Sequence, residues 1–182
     1  MTRATLQSHT EQTPEPPDGP AVEFGHTSPA GEEGFPGTLA VTVTYTLTNE
    51  DELRIDYTAT TDRPTPVNLT NHSYWNLTGA GSGTVLDYEV KLGAYNYTPT
   101  ADTLIPTGKI AAVKGTPLDF TLPKRVGRDI GELVDTAWLG YDHNFVLKEK
   151  PSAEPEFAAR LTDPASGRVM EVWTTEPGVQ LY

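Results

Sequence analysis

Cysteine is absent from all 182 residues. Disulfides and thiolate metal sites are therefore excluded, and a reducing compartment suits the chain. Long apolar runs are missing too: no stretch approaches the ~18 apolar residues needed to cross a bilayer. The first residues, Met1 to Pro20, hold no apolar core of the kind a secretory signal carries. A cytoplasmic location is the expectation. Positive charge is scarce, with 13 Lys and Arg against 25 Asp and Glu and a net charge of -12. Such a surface repels nucleic acid and anionic membranes and leaves neutral small molecules as partners. His9, His26, His72 and His143 are dispersed without ligand spacing, which argues against a metal site.

Glycine and proline, 16 of each, accompany abundant threonine, a composition that favours turns and strands over long helices. Residues 1–20 are polar and carry Pro14, Pro16, Pro17 and Pro20; they are expected to be disordered. Residues 21–182 then form one domain, with no boundary signalled inside it.

Leu39, Val41, Val43, Tyr45 and Leu47 alternate with Ala40, Thr42, Thr44, Thr46 and Thr48. After the break Asn49-Glu50-Asp51-Glu52, the alternation resumes at Leu53, Ile55, Tyr57 and Ala59. Two such runs predict an antiparallel hairpin. A second hairpin is predicted where Phe157–Leu161 and Val169–Thr175 flank Asp163-Pro164-Ala165-Ser166-Gly167. Val85 to Leu92, Trp138 to Leu147 and Gly178 onward read as extended, and residues 97–123 as irregular chain with short strands. Val126, Ile130, Leu133 and Val134 fit one apolar face of a short helix between Arg125 and Val134.

The segment Val67 to Leu77 is also expected to be extended. Period 2 places Asn68, Thr70, His72, Tyr74 and Asn76 on one face and Val67, Leu69, Asn71, Ser73, Trp75 and Leu77 on the other. The second face is mainly apolar and suited to packing inward. Amides, a hydroxyl and an aromatic ring on the first face match the needs of a sugar, whose hydroxyls seek hydrogen bonds and whose C–H patches seek a flat apolar surface. Spacing alone leaves His72 either a hydrogen-bonded sheet residue or a group that exchanges protons near neutral pH.

Asn68-Leu69-Thr70-Asn71-His72-Ser73-Tyr74-Trp75-Asn76-Leu77 resembles the signature N-x-T-N-H-x-Y-[FW]-N-L of the aldose 1-epimerases. Gly31-Glu32-Glu33-Gly34-Phe35-Pro36-Gly37, Tyr141-Asp142-His143-Asn144-Phe145-Val146-Leu147, Ser166-Gly167-Arg168 and Thr174 to Tyr182 resemble further family stretches, in order and at similar spacing. The resemblance implies an all-β, antiparallel β-sandwich, the galactose mutarotase-like supersandwich, present in incomplete form. It implies interconversion of the α and β anomers of hexoses such as galactose and glucose, with an aldose sugar as partner and no metal or organic cofactor.

By the same resemblance His72 is the general acid, while Asp142, Gln180 and Asn71 bind the substrate. His143, on the opposite face of an extended chain from Asp142, is expected in the core; His9 and His26 match nothing. The family's upstream Asn-Arg pair and Asn-x-Leu-His-Gly-Gly motif, and its downstream Gly-x-x-x-Glu-Thr-Gln with the catalytic glutamate, are not found in this sequence. Glu171 and Glu176 match family positions with other roles. The expectation is thus the middle of an epimerase domain, weakly active or inactive by itself. Two alternatives stand beside it: a non-catalytic carbohydrate-binding module, and an epimerase of phosphorylated hexoses. The acidity and the lack of a Lys/Arg cluster near the motif disfavour the latter.

Overall fold

The computed structural model describes residues 18–182 and the backbone of 9–11. The chain divides into two compact units, one up to Ser73 and one from Tyr74 to Tyr182. The expectation of disorder over residues 1–20 falls largely outside the described residues, but His9–Glu11 forms a strand. The boundary at Ser73 was not signalled in the sequence and lies inside the His72 motif.

The first unit holds β1 (His9–Glu11), β2 (Ala21–Ser28), β3 (Leu39–Leu47) and β4 (Leu53–Thr61). They form one antiparallel sheet in sequence order. The predicted hairpin is present, with Leu39 opposite Thr61 and Leu47 opposite Leu53. Its turn is built by Thr48, whose Oγ1 accepts the N–H groups of Glu50 and Glu52 at 3.3 and 3.2 Å, while Asp51 takes the left-handed φ of 61° that a tight reversal requires.

The segment after β4 departs from expectation. No residue from Asp62 to Asn76 belongs to a strand, and the face expected to pack inward is open: Val67, Leu69 and Trp75 are 52%, 39% and 45% exposed. Local side chains hold this backbone. Asn71 Oδ1 accepts the Ser73 N–H at 3.1 Å, and Thr70 Oγ1 donates to the Asn71 carbonyl at 3.2 Å. Short polar side chains bonding to nearby backbone compete with ladder formation.

The second unit is a sandwich of two antiparallel sheets. Its strands are β5 (Glu89–Leu92), β6 (Asn96–Tyr97), β7 (Ala111–Ala112), β8 (Lys124–Arg125), β9 (His143–Val146), β10 (Glu156–Thr162), β11 (Val169–Thr174) and β12 (Gly178–Leu181). One sheet runs β11-β10-β5-β8 and the other β12-β9-β6-β7. The predicted second hairpin is β10–β11, closing with Thr162 opposite Val169. The Val85–Leu92 strand is confined to β5. Val90 and Leu92 from one sheet and Phe145 from the other meet Phe120, Val113, Leu118 and Tyr141 in a common core.

The expected helix from Arg125 to Val134 is replaced by two short 3-10 turns, Val126–Arg128 and Ile130–Glu132. Its N–H groups are taken elsewhere: those of Val126 and Gly127 donate to the Tyr88 and Leu86 carbonyls at 2.9 and 2.7 Å. Position 127 is crowded: a Cβ there would lie 3.0 Å from the Leu86 carbonyl oxygen. Between the turns, Asp129 reaches Lys124 Nζ at 2.9 Å. Lys124 is buried, and its ammonium also donates to the Pro117 carbonyl and lies 3.9 Å from the Phe120 ring centroid. Hydrogen bonds from Arg128 and Lys124 hold the Asp129 carboxyl down at about 2. Val126 and Leu133 are buried as the apolar spacing required, whereas Val134 is exposed.

The turn that carries Ser166-Gly167-Arg168 and the chain leaving the His72 motif meet at Asp163. This buried carboxylate accepts hydrogen bonds from Thr78 Oγ1, Ser166 Oγ and the N–H groups of Ala165 and Ser166. Arg168 donates to the Leu77 carbonyl at 3.1 Å. Asn76 Oδ1 accepts from the Tyr88 hydroxyl at 2.6 Å. The Asn76–Leu77 end of the first motif is therefore an anchor onto the Ser166-Gly167-Arg168 turn.

Phe120 is 1% exposed and Leu122, two residues on, 75%. Phe120→Ala is expected to cost about 3–5 kcal/mol, and Leu122→Ala to stay within about 0.5 kcal/mol, both read from urea denaturation.

Candidate functional site

The β12-β9-β6 side of the sandwich has two contrasting faces. Phe145 is fully buried and His143 is 4% exposed, so both turn into the core. Alternation then turns Asp142 and Asn144 outward. Gln180 on β12 lies directly opposite Asn144, and Tyr97 on β6 lies opposite Phe145. The latter pairing carries Thr98 alongside Asn144, whose carbonyl accepts the Thr98 N–H at 3.0 Å. Thr98, just past the end of β6, thus forms a polar row with Asn144 on β9 and Gln180 on β12.

This row floors a hollow of about 160 Å³ lined by Thr98, Thr100, Leu104, Pro106, Trp138, Asp142, Asn144 and Gln180. Within it the Gln180 amide donates to Asp142 Oδ1 at 2.7 Å. The Asn144 amide donates to Thr98 Oγ1 at 3.1 Å, and the Trp138 Nε1–H to Thr100 Oγ1 at 2.8 Å. Carboxylate, amide and hydroxyl oxygens therefore converge on a space suited to one small polar ring.

His143 supports the carboxylate from behind. Its Nδ1 accepts the Asp142 N–H at 3.1 Å, which requires an unprotonated nitrogen. Burial pushes the imidazole below its ordinary value, against the pull of Asp142, and so favours the same neutral form. Trp138 and Tyr97 pack on the ring at centroid distances of 4.9 and 6.0 Å. Its expected core role is what the structure shows.

The four predicted site residues divide between the units. Asp142 and Gln180 are brought into direct contact, 38 residues apart in sequence. Asn71 and His72 belong to the first unit, where both are exposed. Asn71 Nδ2 reaches the Tyr45 hydroxyl at 3.5 Å while Oδ1 caps Ser73. Sequence reasoning passed over Asn144, which the two-residue spacing from Asp142 could have revealed. Thr98, Thr100 and Trp138 carried no periodic signal.

With this geometry in place, comparison with known proteins decides the family. The family model described as aldose 1-epimerase matches residues 8–182. The chain belongs to the aldose 1-epimerase family. It is 53% identical over 161 residues to galactose mutarotase from Mus musculus, covering 88% of this chain and 45% of the mouse protein. It is 36% identical over 162 residues to aldose 1-epimerase from Escherichia coli K12, covering 88% and 46%. The crystal structure of an aldose epimerase homologue from C. elegans superposes with a TM-score of 0.78 at 31% identity, over 95% of this chain and 50% of that one. The chain thus spans about half the length of the relatives it matches. Its antiparallel, all-β architecture is the one expected of an epimerase. Among the described residues no helix is long and apolar enough to cross a membrane.

Two outcomes test the site. A Cβ at Gly178 would lie 2.6 Å from Asn144 Oδ1, so Gly178→Ala is expected to swing the Asn144 amide away from Thr98, with the melting temperature little changed; side-chain amide NMR signals and thermal melts check both halves. Because the folded His143 imidazole titrates below its unfolded value near ~6.5, its contribution to stability is complete above that pH and is lost as pH falls through the lowered folded value. Urea midpoints measured from pH 8 to pH 5 should fall, and His143→Gln should flatten the decline.

Proposed function

We propose that this chain carries the sugar-contacting surface of an aldose 1-epimerase that interconverts the α and β anomers of hexoses such as galactose. The observation that carries the reading is the Asp142–Gln180 contact of 2.7 Å inside the hollow. A carboxylate that already receives one amide N–H still offers lone pairs to hydroxyl donors, while the Gln180 carbonyl oxygen accepts another. Vicinal sugar hydroxyls are both donors and acceptors and suit such a pair.

Anomer exchange needs proton transfer at two oxygens. A base removes the proton from the anomeric hydroxyl as an acid protonates the ring oxygen. The bond from C1 to the ring oxygen breaks, and the electron pair of the anomeric oxygen forms the aldehyde carbonyl. Rotation about C1–C2 and closure on the other face give the other anomer. His72 is the acid in this reading, its imidazolium giving a proton to the ring oxygen and recovering it on closure. Asp142, Gln180 and Asn71 hold hydroxyls and fix the ring. The base is assigned to none of these 182 residues. Glu171 is engaged by Arg160 Nη1 and Trp173 Nε1, each at 3.3 Å.

Polarimetry on freshly dissolved α-galactose tests the proposal. With no base assigned, the chain is expected to bind galactose and to speed the approach to equilibrium only weakly, and His72→Ala to abolish whatever excess over the buffer rate is measured. Galactose binding without acceleration would leave a sugar-binding surface and remove the catalytic half. Absence of binding would remove both.

A further inference from the structure

The hollow is chemically divided. Asp142, Asn144, Gln180, Thr98 and Thr100 supply its polar atoms, while Leu104, Pro106 and Trp138 form an apolar wall. Trp138 is the largest group in that wall, and its single polar atom is already committed, since Nε1–H donates to Thr100 Oγ1 at 2.8 Å. What the indole has left to offer a ligand is carbon surface.

The ring is held by two contacts. His143 lies against it at 4.9 Å with a 41° tilt between planes. The bond to Thr100 clasps the loop before β9 to the loop after β6, across 38 residues of sequence. Each loop holds a leucine in left-handed backbone: Leu104 at φ 62° and Leu139, next to the tryptophan, at φ 55°. Non-glycine residues persist there only where surrounding structure over-determines them. The Leu104 loop is closed by the Thr100–Pro106 bridge and by the Ala101 N–H donating to the Ile105 carbonyl at 2.9 Å. A rigid, preordered aromatic wall opposite a polar floor matches a pyranose, which presents hydroxyls at its edge and a C–H patch on one face.

We propose that Trp138 is the stacking platform of the hollow, receiving the C–H face of a bound aldohexose while Asp142 and Gln180 take its hydroxyls. The proposal rests on the sugar-binding reading above and adds to it a residue that sets which ring face is presented. Sugars whose C–H patch is interrupted by an axial hydroxyl on that face bind less well.

Galactose at anomeric equilibrium, where turnover produces no net change, isolates binding. Nitrogen-15 correlation spectra of the full chain contain three indole signals, from Trp75, Trp138 and Trp173, each assigned by its Trp→Phe variant. The Trp138 signal is expected to shift saturably with galactose and that of Trp173 to stay fixed. Trp138→Ala should weaken binding roughly tenfold and Trp138→Phe by less than about threefold, because phenylalanine keeps a flat aromatic face while losing the pyrrole ring and its N–H. If the Gln180 side-chain amide titrates while the Trp138 signal does not move, or if Trp138→Ala binds as tightly as the parent, the platform is overturned and the sugar site stands. If neither signal responds, both fall. Should Trp138→Ala fail to fold, the parent titration and Trp138→Phe still decide.

Discussion

The burial of Phe145 is the constraint on which the site depends. This ring has no exposed surface, and a strand side chain cannot face the core without its neighbours facing away. Once Phe145 and His143 are committed inward, Asp142 and Asn144 must look out, and ladder pairing brings Gln180 and Thr98 beside them. A one-residue slip would bury the carboxylate and expose the phenylalanine, so the hydrophobic core and the polar floor enforce the same register.

The same alternation gives the site its electrostatics. A neutral imidazole beneath Asp142 accepts its backbone N–H and adds no positive charge that would hold the carboxylate inward. Other carboxylates of this unit are engaged elsewhere, Asp129 by the Lys124 ammonium and Asp163 by the hydroxyls of Thr78 and Ser166. Those groups fix loops where backbone donors are spent on tertiary contacts and no long element is available. Charge thus serves architecture in one region and is left available to a ligand in another.

The His72 motif shows how a signature can mix roles. Its Asn76–Leu77 end anchors to the Ser166-Gly167-Arg168 turn, its Asn71 caps Ser73, and His72 itself is exposed. Alternation in this stretch suggested a strand, yet amides and hydroxyls satisfied the backbone locally. The apolar residues Val67, Leu69 and Trp75 are consequently left exposed. Alternation predicts a strand only where a ladder partner and a core both claim the segment.

Both hairpins, the all-β class and the family were legible in the residues, because alternation and turn chemistry are local properties and the signature stretches are contiguous. Asp142 and Gln180 were legible as candidates through those same stretches. The Arg125–Val134 segment was misread because its spacing is shared by helices and by 3-10 turns, here joined to the chain just before β5 through the Val126 and Gly127 N–H groups. That Thr98, Thr100 and Trp138 join Asp142 and Gln180 around one hollow was settled only in three dimensions. Residues this far apart in sequence meet through strand register and loop closure, and both are fixed by the packed core as a whole.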